Sequence, residues 1–145
     1  MDTKLKADIA ESAVTTELLK RGFKVLQPVG DRLAYDLGVD LQGRLLRIQV
    51  KSAWFNAKDN CYVVDGRRTK TNRRRMLRKH YSADDFDFAI IYLADLAVFY
   101  VMPVVVFSSY GSTITLIEST KRQRKPRSAE YKERWDLLSN GLFGR

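Results

Sequence analysis

The run from Tyr35 to Ala53, YDLGVDLQGRLLRIQVKSA, alternates apolar and polar positions with a period of two on both sides of a Gln42-Gly43 break. The alternation predicts a β-hairpin with a two-residue turn, in which Leu41 faces Arg44, Val39 faces Leu46, Leu37 faces Ile48 and Asp36 faces Gln49. One face then carries Leu37, Val39, Leu41, Leu46, Ile48 and Val50, and the other Asp36, Asp40, Arg47, Gln49 and Lys51. Upstream the period changes. Thr3 to Arg21 contains no Gly or Pro, ends in Lys20 and Arg21 and runs into Gly22, which predicts a helix with a C-terminal stop. At about 100° per residue Ala7, Ala10, Val14 and Leu18 form one stripe with Glu11 in its middle, while Leu5, Ile9 and Ala13 form a second stripe that competes for the core. If the first stripe faces inward, the Glu11 carboxylate goes with it and needs a cation or hydrogen-bond donors.

Phe23 to Leu26 reads as a short strand, followed by a QPVGDRLA loop. After the hairpin, CYVV reads as a strand and DGRRTKTNRRRMLRKH as an exposed basic connection with a helical part. DFAIIYL and LAVFYVM read as paired central strands around Ala94 and Asp95, the later pair running to VMPVVVF, and STITLIES as a further strand. SAEYKERWDLLSNG reads as a helix with Ser128 as N-cap and Asn140-Gly141 as its stop. Phe88 to Phe107 has the length of a bilayer-spanning helix, but Asp95, Pro103 and the Ile, Val, Tyr and Phe content favour buried strands and no membrane. The order of elements predicts an α/β fold, a central mixed β-sheet flanked by helices, in one domain over residues 1–145.

Charge adds a partner. The net charge is +9, and of the 26 Lys and Arg, thirteen lie in two acid-free runs. Arg67, Arg68, Lys70, Arg73, Arg74, Arg75, Arg78 and Lys79 fall in a basic insertion over 67–80; Lys121, Arg122, Arg124, Lys125 and Arg127 fall in a basic linker that opens the 121–145 segment with its helix. The other thirteen face all 17 acids, so the basicity is regional. Such runs suggest the footprint of a polyanion, nucleic acid first, since each cation placed on a phosphate releases counterions. Solvated loops or contact with anionic lipid would show the same runs, but neither a lipidation motif nor a basic amphipathic helix accompanies them. With one cysteine, Cys61, no internal disulfide is possible, and MDTKLKADIAES lacks the apolar stretch of a signal peptide, so an intracellular, cytoplasmic location is expected.

Chemistry enters at the polar face of the hairpin. Opposed Cβ atoms lie roughly 4.5–5.5 Å apart and diagonal ones roughly 7–8 Å, so Asp36, Gln49 and Lys51 reach one small volume. Asp40, on the order of 13 Å along the strand from Asp36, reads as a turn residue. A carboxylate and a neighbouring carbonyl oxygen are the hard ligands that Mg²⁺ takes, and an ammonium beside them orients water and offsets charge on phosphate. The set suits metal-assisted phosphodiester hydrolysis. An Asp–Lys surface pair is the plainer reading; Glu11 and the basic runs weigh against it.

On these residues the chain resembles the PD-(D/E)xK nucleases of the restriction-enzyme fold: the helix bearing Glu11, PVGDRLAYDLGVD, RLLRIQVKSA and the strand pair ending in VMPVVVF match the pattern over most of the chain. Within that group it resembles the intron-encoded homing endonucleases of cyanobacteria. The resemblance implies a restriction-endonuclease-like core and Mg²⁺-dependent double-strand cleavage of DNA. It makes Asp36, Gln49 and Glu11 the metal ligands and Lys51 the catalytic lysine, all four being catalytic. Two positions depart from the pattern: Tyr35 stands at the proline, and Gln49 stands where an acid is expected, which removes one negative charge from the site. A Holliday junction resolvase would share the four residues, a restriction-type enzyme would differ in its short target, and a non-catalytic DNA-binding module would need only the basic runs. His80, the one histidine, ends a basic run and is read as solvated or on phosphate. One chain of this size spans only about 11 base pairs, so a homo-oligomer, dimer or tetramer, is expected, with VMPVVVF and RWDLLSNGLF as its apolar seams.

Overall fold

The structure, a computed structural model, describes residues 2–71, 76–119 and 124–143, with the backbone alone of 68–71, 76–80 and 141–143. Helix α1 (Thr3–Lys20) is capped at its start by Asp2, whose Oδ1 accepts the Leu5 N–H at 2.8 Å. Its end is a Schellman turn: Gly22, at φ 88°, donates its N–H to Leu19 O (3.0 Å) and Phe23 to Leu18 O (3.0 Å). The stop expected at Gly22 is therefore met by the one residue type that takes this φ without strain.

Five strands form the central sheet in the order β1 (Lys24–Leu26), β2 (Leu37–Leu41), β3 (Arg44–Ser52), β8 (Phe88–Leu93), β9 (Val98–Pro103). All neighbours are antiparallel except β3 and β8, so the sheet is mixed. The β2–β3 register is the expected one, Leu41 on Arg44 through Leu37 on Ile48, across a turn with Gln42 at φ 53° and Gly43 at φ 85°. Two positive φ values make it the primed turn that matches strand twist. A parallel pair cannot be joined by a hairpin. The β3-to-β8 connection is accordingly long, and it contains β4 (Trp54–Asn56), β5 (Cys61–Asp65), β6 (Arg67–Thr71) and β7 (Met76–His80). With β10 (Thr113–Leu116), β4 and β5 make a second sheet in the order β10-β5-β4.

The faces of the central sheet bury different partners. Ala10, Val14 and Leu18 of α1 pack on Leu37, Val39, Leu46, Ile48 and Val50, joined by Trp135 and Leu138; fully burying a Val or Leu side chain contributes about 1.5–3 kcal/mol. Of the two α1 stripes the first supplies the buried residues, although Ala7 stays exposed; from the second, Leu5 and Ile9 are exposed and Ala13 packs half-buried against the core. Ala89, Ile91, Tyr100 and Met102 pack on the second sheet and on α2 (Val104–Ser109).

Three sequence expectations are corrected. The basic connection contains no helix among the described residues: it is the hairpin β6–β7, with Arg67 on His80 and Thr71 on Met76, and the β-branched Thr69 and Thr71 alternating with Arg68 and Lys70 already carried that period. VVVF is not strand but the start of α2, because Val104 gives its N–H to Asp87 O (3.0 Å) and buries with Phe107 one turn on. The C-terminal helix is broken in two. Arg127–Tyr131 is a 3₁₀ turn with Ser128 buried inside it rather than capping it, and α3 (Asp136–Phe143) runs through Asn140-Gly141. Between them Glu133, at φ 54°, exchanges hydrogen bonds with the free edge of β9, its N–H to Phe99 O and its Oε2 from Phe99 N–H, both 2.8 Å. The proposed seams are largely spent inside: Met102, Phe107, Trp135 and Leu138 are buried, and Val105 is the exposed apolar residue of VMPVVVF.

Candidate active site

A cleft of about 680 Å³ opens where α1 passes the start of β2, the end of β3 and the start of the β3-to-β8 connection, and Glu11, Asp36, Gln49 and Lys51 all line it. Each arrives by a different local cause. Asp36 precedes β2, with its N–H on Ile48 O (2.8 Å) and its Oδ2 accepting the Val50 N–H (2.8 Å), so two hydrogen bonds to β3 orient the carboxylate. Gln49 is 9% exposed, and its Nε2 donates weakly to Val50 O at 3.4 Å. Lys51 follows two residues on; its Nζ donates to Arg67 O (3.0 Å) and stands 5.0 Å from the centre of the Tyr81 ring. Glu11 lies on the flank of the buried α1 stripe rather than in its middle, and is half-buried.

Electrostatics ties the acids together. Burial pushes the Glu11 carboxyl above the ordinary value, and the charges of Asp36 and Asp8 push it further. Asp36 is likewise raised, burial outweighing the Val50 N–H and the Lys51 ammonium. Two neighbouring carboxylates are thus held where their charge is costly, which is the arrangement a divalent cation relieves. The donors fit such an ion: carboxylate oxygens of Asp36 and Glu11 and the amide oxygen of Gln49 are hard oxygen ligands. Among the described residues no group of three or more His, Cys, Asp and Glu side chains could hold a metal; the set in the cleft is two carboxylates and the Gln49 amide.

Other expectations separate from the site. Asp40 serves the turn, its Oδ1 accepting the Gly43 N–H at 2.9 Å. Arg47 is taken by Asp87, through its backbone N–H (2.8 Å) and guanidinium (3.3 Å), and by the carbonyls of Ala83 and Asp84, so it braces the parallel β3–β8 junction. Of the basic residues, Arg67 lines the cleft and pairs with Asp65 (3.3 Å), while Arg127 lies 4.1 Å over the Tyr110 ring and bonds Ser109. Arg124 and Lys125 lie in the described linker before the 3₁₀ turn. Arg68, Lys70, Arg78 and Lys79 sit on the β6–β7 hairpin, where only backbone is described; Arg73, Arg74, Arg75, Lys121 and Arg122 lie outside the described residues.

Sequence reasoning missed Asp65 and Tyr81, which also line the cleft. Asp65 ends an ordinary strand and Tyr81 follows a basic run; only tertiary packing carries them to Lys51, so no local period marks them. Burial raises the Asp65 carboxyl, but hydrogen bonds from Arg67 and the charges of Arg67 and Lys51 outweigh it, leaving the group below its ordinary value.

A profile of the PD-(D/E)XK endonucleases matches residues 1–138. The chain belongs to this endonuclease family. Among solved structures, that of a bacterial homing endonuclease, I-Ssp6803I, is similar at 56% identity and a TM-score of 0.88, covering 97% of this chain and 96% of that one. A comparison with curated proteins gave no match. The restriction-endonuclease-like fold and the endonuclease class expected from PVGDRLAYDLGVD and RLLRIQVKSA are thereby borne out. No described helix of the endonuclease is long and apolar enough to cross a membrane.

Proposed function

We propose that the chain is a sequence-specific homing endonuclease that makes double-strand breaks in DNA, with Mg²⁺ as its cofactor. The observation that carries this reading is the convergence of Glu11, Asp36, Gln49 and Lys51 on one cleft, and the similarity to a bacterial homing endonuclease supports it. Asp36, Glu11 and the Gln49 amide oxygen would hold the cation. When bound, it supplies positive charge that makes water a better nucleophile at neutral pH and offsets charge on the phosphate. Lys51 does the rest of the positioning: its ammonium holds the attacking water by hydrogen bonding and faces the charge that develops on the phosphate oxygens. Asp36, anchored to Val50, keeps the ligand end fixed while this occurs.

Residues 1–145 act as one catalytic domain inside the cell, and the basic hairpin and linker, including the residues outside the described set, hold the duplex by its phosphates. A compact domain of this length has a radius of gyration of roughly 15 Å and covers about 11 base pairs, whereas a rare target needs contacts over two turns. The active species is therefore a symmetric dimer or tetramer on a target with partial two-fold symmetry. The test is cleavage of a randomised duplex library with sequencing of the ends, alongside light scattering of the eluting enzyme. Long, related target sites cut by a species of twice or four times the 16.7 kDa chain are expected. Cutting at a short site, cutting only of four-way junctions, or concerted double-strand cuts by a 16.7 kDa monomer would overturn the corresponding part.

A further inference from the structure

The Lys51 ammonium is held by the two ends of one hairpin. Its hydrogen-bond acceptor, Arg67 O, belongs to the first residue of β6; the ring beneath it, Tyr81, directly follows His80, the last residue of β7, and Arg67 and His80 are register partners. The stretch of sequence from 67 to 80 that includes this hairpin holds eight of the basic residues assigned above to DNA.

This root is fixed from several sides. Asp65 Oδ1 accepts both the Arg67 N–H (2.9 Å) and its Nε (3.3 Å). Between them Gly66 donates to Ser112 O at 2.8 Å, and a Cβ there would stand 2.6 Å from Gly111 O, so only glycine lets the root lie this close to the chain before β10. Tyr81 is 7% exposed, its ring set edge-on against Phe86 and Phe107 at 5.0 and 5.9 Å and its carbonyl accepting Ser108 Oγ at 3.2 Å. A lysine on a four-carbon stem otherwise samples many rotamers, and a ring face plus a fixed carbonyl remove that freedom before any substrate arrives.

We propose that Tyr81 and Asp65 are positioning residues for Lys51: the root of the basic hairpin sets where the ammonium stands, so the element that grips DNA also governs the rate of cleavage. The inference rests on the nuclease reading of Lys51 given above. The experiment measures single-turnover cleavage and, separately, the Kd for the same duplex, the one the wild type cuts. Tyr81→Leu and Asp65→Ala should slow cleavage by about tenfold to about 100-fold while Kd stays within about twofold, because misplacing a reacting group costs rate rather than affinity. Tyr81→Phe, which keeps the ring face, should restore the wild-type rate. Independently of cutting, the side-chain Hε protons of Lys51 in ¹³C-lysine-labelled enzyme should be shifted upfield by the ring in wild type and Tyr81→Phe. Wild-type rates for Tyr81→Leu and Asp65→Ala beside an inactive Lys51→Ala would overturn this proposal alone, as would unshifted Lys51 protons in the wild type. Full activity of Lys51→Ala would instead remove the catalytic role given to Lys51, and this proposal with it.

Discussion

One nine-residue strand, β3, serves two faces that do opposite work. Leu46, Ile48 and Val50 meet α1 in a dry layer, the first two with no exposed surface and Val50 8% exposed. The alternate residues Arg47, Gln49 and Lys51 meet Asp87, the cleft and the root of the basic hairpin. The period of two thus divides the core from the proposed catalytic face along a single stretch of chain, and changes on either face should have separable consequences. That separation is open to attack from both sides.

The largest effect is expected on the chemical face. Lys51→Ala should lower the cleavage rate on the order of 10³-fold, about 4 kcal/mol in the barrier, with Tm and DNA affinity close to wild type. Single-turnover cleavage with a parallel melting curve checks it, and a mutant that loses Tm as well as rate would merge the two faces. Opposite it, Ile48→Ala should cost about 2–5 kcal/mol of folding free energy by leaving a cavity under α1, read from urea unfolding. Its folded fraction should still cut.

Asp36→Asn sharpens the contrast through pH. Because the folded carboxyl lies above its unfolded value of about 3.9, its protonated form favours folding; that contribution is full below the unfolded value and lost as pH rises through the folded one. At pH 7 without metal the charge is therefore a cost, and Asn removes it while its amide oxygen still accepts the Val50 N–H. The variant should melt at or above the wild-type temperature in EDTA, and Mg²⁺ should raise Tm for the wild type alone. A variant clearly less stable than wild type in EDTA would contradict the assigned direction. The smallest change is Asp40→Asn, whose amide oxygen can still accept the Gly43 N–H; stability within about 0.5 kcal/mol and an unaltered cleavage rate are expected.

The legible part of this molecule was the part written in local periods. The β2–β3 register followed from alternation and a Gln-Gly turn and brought Asp36, Gln49 and Lys51 to one cleft because neighbours in a hairpin are neighbours in space, while α1, legible from its stripe and Gly22, carries Glu11 there as it packs on the sheet. What could not be read depends on distant partners. Glu133 leaves the helix its neighbours favour because the edge of β9 takes it, Val104 turns helical because Asp87 takes its N–H, and Arg47 is diverted from the site by a loop forty residues away. Asp65 and Tyr81 belong to the same class: nothing beside them in the chain points to Lys51, and the packing of the hairpin root does.

The claim underlying all of this is that the Glu11, Asp36 and Gln49 end of the cleft works through a divalent cation on DNA. The most direct measurement is cleavage of a linear duplex carrying the target by wild type and Asp36→Asn, each in Mg²⁺ and in EDTA. The wild type should cut in Mg²⁺ and not in EDTA, and Asp36→Asn should cut in neither while still binding the duplex. Cleavage that survives EDTA, or Asp36→Asn cutting at the wild-type rate, would contradict it.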